Sequence, residues 1–222
     1  MIKLYDRKPE YSRLVDKYEV RGFVEDKIGK EYLVDCFGVW EDTADIPISE
    51  LPEKFVLKCT HDSGSVEICK DRKNFNFKTS LERLSLAMKR DYYKTYREWP
   101  YKAVTPRIIA EQYLEADKNG DLQDYKVMCF SGEALFVEFH ENRFINGKEH
   151  TQTFYDRDWN MLDLRQKGIG ASLIKAPKPE HLDKILSLSE QLSKNICHTR
   201  IDWYISENKI YFGEITFFDG SG

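Results

Sequence analysis

Apolar residues recur along this chain in helical and strand-like spacings that alternate with polar turns. Across residues 11–28, Leu14, Tyr18, Phe23 and Ile28 recur among charges and predict a helical segment closed by Gly29. Residues 32–36 read as a short strand, and 42–52, with two prolines, as a loop or short helical turn. Phe55-Val56-Leu57-Lys58-Cys59 is an apolar strand broken only by its lysine; a polar turn, 60–65, and a second strand, 66–69, follow. Residues 80–93 repeat Leu81, Leu84 and Met88 at helical spacing, with Thr79 or Ser80 as the cap. Further on, 107–114 is a β-branched run and 117–121 a turn. Strands at 124–130 and 134–140 flank Ser131-Gly132, a hairpin signal. A helix over 179–195 carries Leu182, Ile185, Leu186, Leu188 and Leu192, and strands 200–205 and 210–217 join around Glu207-Asn208. Strands in groups, with occasional helices, predict α+β architecture in two lobes that divide near Leu114.

Composition narrows the class. The 222 residues include 13 Phe, 13 Tyr and 4 Trp, an aromatic load that needs a packed interior and excludes a disordered chain. With 34 basic and 38 acidic side chains the formal charge is −4, which argues against broad binding to nucleic acid or anionic membrane. No apolar stretch approaches the ~20 residues that span a bilayer, and the first residues contain no run resembling a secretory signal. Cys36, Cys59, Cys69, Cys129 and Cys197 are scattered and lack a CxxC pair, so free thiols and a cytoplasmic location are expected.

Two segments carry the strongest candidate chemistry. Lys58, on its apolar strand just before Ser63, Gly64 and Ser65, is suited to hold phosphate oxygens, the glycine letting backbone amides approach. The alternative is an edge strand with its lysine in solvent. In the closing hairpin, side-chain alternation puts Asp202 on one face with Tyr204, and Glu214 on one face with Thr216. Matching the polar faces sets Asp202 directly opposite Glu214. Like charges so placed need compensation, and a magnesium ion bound by one or two carboxylates and nucleotide phosphates supplies it. A solvated hairpin face is the plainer reading.

Other positions say less. Arg107 with Glu111-Gln112-Tyr113-Leu114 is an ordinary strand or a rim for a purine and ribose. Asp124 and Lys126 share a face, as a phosphate or substrate contact or as a surface ion pair. Asp16 and Lys17 read as exposed helix charges, and Trp40 and Trp159 as packing residues. Arg143 suggests no mechanism by itself. His61 follows Lys58 and is a candidate phosphate or second-substrate contact; the remaining histidines lack zinc-site spacing, and no GxSxG nucleophile motif occurs.

Taken in order, these segments resemble the TupA-like branch of the ATP-grasp superfamily, found in bacterial polysaccharide loci. The resemblance is carried by Asp16-Lys17-Tyr18-Glu19-Val20-Arg21, Gly38-Val39-Trp40, residues 51–58, and His61-Asp62-Ser63-Gly64. It continues through Ile68-Cys69-Lys70-Asp71, Arg97-Glu98-Trp99, Pro106-Arg107-Ile108-Ile109, Asp124-Tyr125-Lys126, Tyr155-Asp156, Arg200-Ile201-Asp202 and residues 211–217. It implies a two-lobed ATP-grasp fold with a reduced N-terminal region (1–50), a first lobe (51–114), a second lobe (115–222) and a nucleotide cleft between lobes. It implies ATP and Mg²⁺ as cofactors. Lys58 would be the phosphate lysine, Lys17 or Arg21 an earlier cationic contact, and 61–65, with His61, Ser63 and Gly64, a flexible loop closing over phosphates. Glu111, Gln112, Tyr113 and Leu114 would form the hinge at adenine, and Lys126 a second-lobe contact. Asp202 and Glu214 would be the metal ligands, with Thr216 where many members have a further asparagine ligand. Relatives also extend past the closing Phe218-Asp219-Gly220-Ser221-Gly222.

The activity implied is ATP-dependent carboxylate–amine ligation through an acyl phosphate. Lys58, with Lys126 or Arg143, would neutralise the transferring phosphoryl group. Small or polysaccharide-linked carboxylates and amines would be the substrates, in capsule or cell-wall polymer synthesis. A nucleotide-sugar glycosyltransferase and a non-catalytic nucleotide-binding partner are the competing readings; the absence of a DxD triplet counts against the former.

Overall fold

The structure is a computed structural model that describes residues 2–116, 120, 122–143 and 147–218. The turn expected at 117–121 lies outside the described residues except for Gly120, as do the last four residues. The described chain falls into two compact units, 2–23 with 34–113, and 24–33 with 114–218.

The first unit begins with the short helices α1 (Ile2–Tyr5) and α2 (Glu10–Val15), then the start of α3 (Glu19–Ile28). The expected continuous helix over 11–28 is thus two helices. Asp16 takes an extended conformation at the end of α2 and accepts hydrogen bonds from the amides of Tyr18 (2.8 Å) and Glu19 (3.2 Å), capping α3. The strand expected at 32–36 is also displaced: 30–32 form a helical turn, and β1 spans Cys36–Trp40. The 42–52 segment contains two such turns, at 43–45 and 48–50.

A four-stranded antiparallel sheet follows, ordered β1-β4-β2-β3, with β2 Phe55–Cys59, β3 Val66–Cys69 and β4 Ile108–Gln112. Alternation turns Phe55, Leu57 and Cys59 of β2 and Ile108 and Ala110 of β4 into the core. There they meet Leu84 and Ala87 of α4 (Phe77–Met88), with Ile46 and Leu51. The helix expected at 80–93 starts earlier, capped by the side chain of Asn76, and ends at Met88; α5 (Tyr92–Tyr96) is separate and capped by Asp91.

The second unit is a five-stranded antiparallel sheet, β7-β6-β5-β8-β9. Its strands are β5 Gln123–Phe130, β6 Glu133–Glu141, β7 Thr151–Asp156, β8 His198–Ser206 and β9 Lys209–Thr216. Ser131 and Gly132 both take positive φ, the twist a two-residue hairpin requires. Strand β7 was not expected, because Thr151-Gln152-Thr153 offers little apolar signal; it pairs with β6 over six residues. One sheet face presents Val127, Val137, Tyr155, Ile201, Trp203 and Ile215, all buried. The amphipathic helix α6 (Leu182–Leu192) buries Leu182, Ile185, Leu188 and Leu192, each contributing about 2 kcal/mol through apolar burial. Trp203 donates its indole N–H to Ser189 of this helix at 2.8 Å, and Trp159 stacks on Tyr155 at 4.0 Å.

The final hairpin corrects one expectation in detail. Arg200 pairs with Thr216 and Ile201 with Ile215, the expected phase, but a bulge then shifts the register so that Trp203 faces Phe212. Asp202 therefore stands against the bulge containing Gly213 and Glu214 rather than in a one-to-one pair with Glu214. A Cβ at Gly213 would lie 3.1 Å from the carbonyl oxygen of Asp202 and 3.0 Å from the Tyr204 ring, so a side chain there would press on both.

Candidate active site

The second face of the five-stranded sheet is charged and largely buried. Direct antiparallel partners share a face, so the pairs Lys126–Asp202, Lys126–Glu138, Asp124–His140, Asp124–Tyr204 and His140–Gln152 all stand on this side. Lys126 donates to Asp202 and lies 3.2 Å from Asp124. Arg143 reaches Asp124 at 2.6 Å. Arg200 grips Asp202 with two hydrogen bonds, 2.7 and 2.8 Å, and the same Nη2 donates to Glu214 at 3.1 Å. Asp124 and Lys126 thus form no surface pair: both are buried.

Fully desolvated charges are costly unless paired and hydrogen-bonded. Here Asp202 lies between a guanidinium and an ammonium. Burial alone would raise its carboxyl, but Arg200 and then Lys126 outweigh that and hold it down at about 2. The mirror case is Lys126: burial works against its charge, Asp202 and Asp124 overcome this, and its affinity for the proton ends raised. The Tyr204 hydroxyl is pushed well above its ordinary range, first by burial and then by Asp124, Asp202 and Glu214.

One guanidinium nitrogen bonding both Asp202 and Glu214 brings these carboxylates within two hydrogen-bond lengths of each other. Arg200 compensates the repulsion that the sequence argument assigned to a divalent ion. Glu214 remains 31% exposed and uses one oxygen, toward Arg200 and the Thr216 hydroxyl. Two adjacent carboxylates and a hydroxyl suit a hard cation, which takes oxygen ligands. Among the described residues no group of three or more His, Cys, Asp or Glu side chains is placed to hold a metal ion. A magnesium ion here would complete its shell with other oxygens.

The first unit carries a second charged set, on the sheet face opposite α4. Lys58 is half-buried rather than free in solvent and donates to Glu111 at 2.7 Å, while Arg21 of α3 reaches the other Glu111 oxygen at 3.2 Å. Gln112 is tied to Asp35 through the backbone, and the Tyr113 ring is flanked by the ammonium groups of Lys54 and Lys70. Leu114 begins the second unit. Asp16 is 2% exposed and pairs with Arg107 at 2.8 Å, so it is no exposed helix charge. Lys17 donates to the Asp62 carbonyl.

The 60–65 turn is internally tied, Ser65 bonding the Asp62 carboxylate and its carbonyl accepting from the Cys59 amide. Ser63 and Gly64 are exposed, with open space where a Gly64 Cβ would stand. Both ring nitrogens of His61, the Thr60 hydroxyl, one Asp62 oxygen and Arg107 Nε are buried without a hydrogen-bond partner. Such a concentration of unsatisfied donors and acceptors fits a polar ligand rather than packing.

Arg200, Glu138, His140 and Gln152 have no assigned role in the sequence reading, and Asp124 has one only as an alternative to a surface ion pair. The signal was present in Val137-Glu138-Phe139-His140, whose polar residues alternate with apolar ones in phase with Asp124 and Lys126.

A family model, TupA-like ATPgrasp, matches residues 1–222, the whole chain. The chain belongs to this family. Its fold also matches solved structures at low identity. Against D-alanine–D-alanine ligase from Bacillus anthracis complexed with ATP, the identity is 14%, the TM-score 0.51, and the match covers 92% of this chain and 54% of that one. Against D-alanyl-alanine synthetase A from Vibrio cholerae the values are 10%, 0.54, 95% and 57%. Against the ADP complex of PurK, N5-carboxyaminoimidazole ribonucleotide synthetase, they are 11%, 0.54, 92% and 45%. These likenesses establish the ATP-grasp fold, and this TupA-like chain spans about half the length of the structures it matches. No curated protein sequence matches it. Among the described residues no helix is long and apolar enough to cross a membrane.

Proposed function

We propose that this TupA-like ATP-grasp chain is an ATP- and Mg²⁺-dependent ligase that joins an amine to a carboxylate through an acyl phosphate. The carboxylate is a sugar acid or peptide of a capsule or cell-wall polysaccharide, and the amine an amino acid or amino sugar. The observation that carries this reading is the convergence of Asp202 and Glu214 on Arg200, beside Lys126, on one buried sheet face of an ATP-grasp fold. Structural ion pairs alone do not require so many desolvated charges in one place.

In this reading the second unit (114–218) is the metal-binding lobe and the first (34–113, with 2–23) the phosphate-binding lobe. Glu214 and Asp202 would hold Mg²⁺, which supplies charge neutralisation for phosphoryl oxygens. Lys58, Lys17 and His61 bind nucleotide phosphates, with Arg21 and Glu111 orienting the Lys58 ammonium. Gln112, Tyr113 and Leu114 meet the base, and Ser63 and Gly64 offer their amides to phosphate oxygens. Lys126, Arg143 and Arg200 bring positive charge to the carboxylate and to the phosphoryl group it receives, offsetting the repulsion between two anions.

The test is ADP release by the purified chain with Mg²⁺-ATP, a panel of uronic acids and short peptides, and a panel of amines. ADP release that needs both partners is the expected result. Turnover of a nucleotide sugar without ATP, or ATP binding without any turnover, would overturn the ligase reading. Glu214→Gln should abolish turnover and leave the circular dichroism spectrum unchanged; near-normal activity would remove Glu214 from the metal site.

A further inference from the structure

The segment from Lys89 to Lys102 lies in the first unit and takes no part in the steps above. It carries five cationic and five aromatic side chains but only two acids. All five cations are exposed, whereas Glu98 is buried, which leaves Asp91 as the one exposed acid of the segment. Asp91 is occupied: it accepts from the Lys94 amide at 2.9 Å, capping α5, and pairs with the Lys94 ammonium at 3.1 Å. Among the influences that hold its carboxyl below the ordinary value, the Lys94 amide comes first and Arg97 last. The Lys3 ammonium of α1 adds further charge, donating to the Tyr96 carbonyl at 3.2 Å. A chain of formal charge −4 thus concentrates positive charge on one short stretch of surface.

Aromatic rings stand beside these charges. Tyr92 packs against Tyr96 at 4.5 Å and Tyr101 at 4.6 Å, and Tyr96 stays 46% exposed. The helical turn Trp99–Ala103 anchors this group by packing on both α5 and α2. The Tyr93 ring holds the Arg97 guanidinium 5.9 Å and the Lys102 ammonium 5.7 Å from its centre. A ring face attracts a cation through its quadrupole without cancelling its charge, so both cations can still draw an anion. Arg97 also takes a left-handed backbone, φ 56°, where glycine is favoured, with its amide on the Tyr93 carbonyl at 2.8 Å. The backbone there gains nothing from an arginine, so the reason for one lies in its side chain.

We propose that the 89–102 surface holds an acidic glycan, a chain containing uronic acid units, and so anchors the polymer that carries the acceptor carboxylate. The proposal rests on the polysaccharide-linked substrate of the reading above. Its chemistry matches on two counts. A pyranose presents weakly positive C–H hydrogens on its faces, which suit the negative face of a tyrosine ring. Its carboxylates suit Arg97 and Lys102, whose N–H groups make charge-assisted hydrogen bonds. Repeating units engage several such contacts at once, so individually weak contacts reinforce one another. A single-stranded nucleic acid also offers rings and anions, but it tracks an extended basic groove. This patch is short, and outside it acids outnumber bases.

The test is calorimetric titration of the full chain with decagalacturonate, without nucleotide, beside a neutral malto-oligosaccharide of equal length. Decagalacturonate is expected to bind the more tightly and to weaken with added salt. Arg97→Gly combined with Lys102→Gln should weaken it about tenfold or more, and Tyr96→Ala by a smaller factor, with Mg²⁺-ATP affinity unchanged. Glycine suits the left-handed backbone at 97, so loss of the side chain is separated from loss of the fold. No binding by the wild type, equal binding of the neutral glycan, or unchanged affinity in the variants would overturn the proposal. Tighter binding of oligothymidylate through the same residues would do so too. In turnover, the double variant should raise KM for a polymeric uronate and leave kcat and the KM for a free uronic acid unchanged. Polymer turnover with an unmoved KM overturns the glycan surface and leaves the ligase. Glycan binding through these residues without any ADP release overturns the ligase and leaves the surface.

Discussion

At the scale of single residues, this molecule concentrates charge where burial makes it expensive. Glu111 joins Lys58 and Arg21 while nearly buried itself, so removing it strands two cations. Glu111→Ala should cost about 3 kcal/mol, read from the urea midpoint, whereas Lys58→Ala should weaken nucleotide binding about tenfold or more in a calorimetric titration. Unchanged nucleotide affinity would strip Lys58 of its phosphate role. Asp202 gives a prediction in pH. Its folded value, about 2, lies below the unfolded carboxylate value of about 3.9. The stability it contributes, about 2–3 kcal/mol, is therefore complete well above pH 4 and is lost as pH falls from about 4 through 2. Melting temperature should fall across that window in the wild type and fall less steeply in Asp202→Asn; equal slopes would assign the acid sensitivity elsewhere. Which residues bear charge was readable in the chain. Arg200 as the bridge between Asp202 and Glu214 was not, because its function depends on contacts that spacing does not encode.

At the scale of elements, local sequence rules held where apolar periodicity or turn chemistry dominates the segment. The β2–β3 pair, the Ser131-Gly132 hairpin and α6 follow alternation, turn chemistry and amphipathic spacing. They failed where one polar side chain redirected the backbone, as Asp16 does in dividing α2 from α3. Asp16→Asn retains a capping oxygen but not the ion pair with Arg107, whereas Asp16→Ala loses both. The alanine variant should be less stable than the asparagine variant by about 1 kcal/mol in urea, and equal stabilities would deny the cap its contribution. The β9 bulge works in the same way. Gly213→Ala presses on Asp202 and Tyr204, and should cost about 1–3 kcal/mol with a measurable loss of Mg²⁺-ATP affinity. A neutral effect on both would show that the bulge tolerates a side chain.

At the scale of the whole molecule, a ligand that binds only the folded chain must stabilise it. At one hundred times its dissociation constant, Mg²⁺-ATP should add about 2.7 kcal/mol. That appears as a rise of roughly 5–10 °C in the melting temperature of a chain this size, abolished by EDTA and reduced in Glu214→Gln. No rise at saturating nucleotide would contradict the nucleotide-binding assignment. The sequence by itself determined most of the strands and helices, the aromatic interior, the family, and which acids and bases were available, because these follow from side-chain type and short-range periodicity. Only the tertiary structure decided how they meet: Arg200 between two carboxylates, Glu111 between two cations, and Glu138 bonded to His140. The physical reason is that strand pairing brings together groups as far apart in sequence as Lys126 and Asp202, and a one-residue bulge decides which side chains face each other.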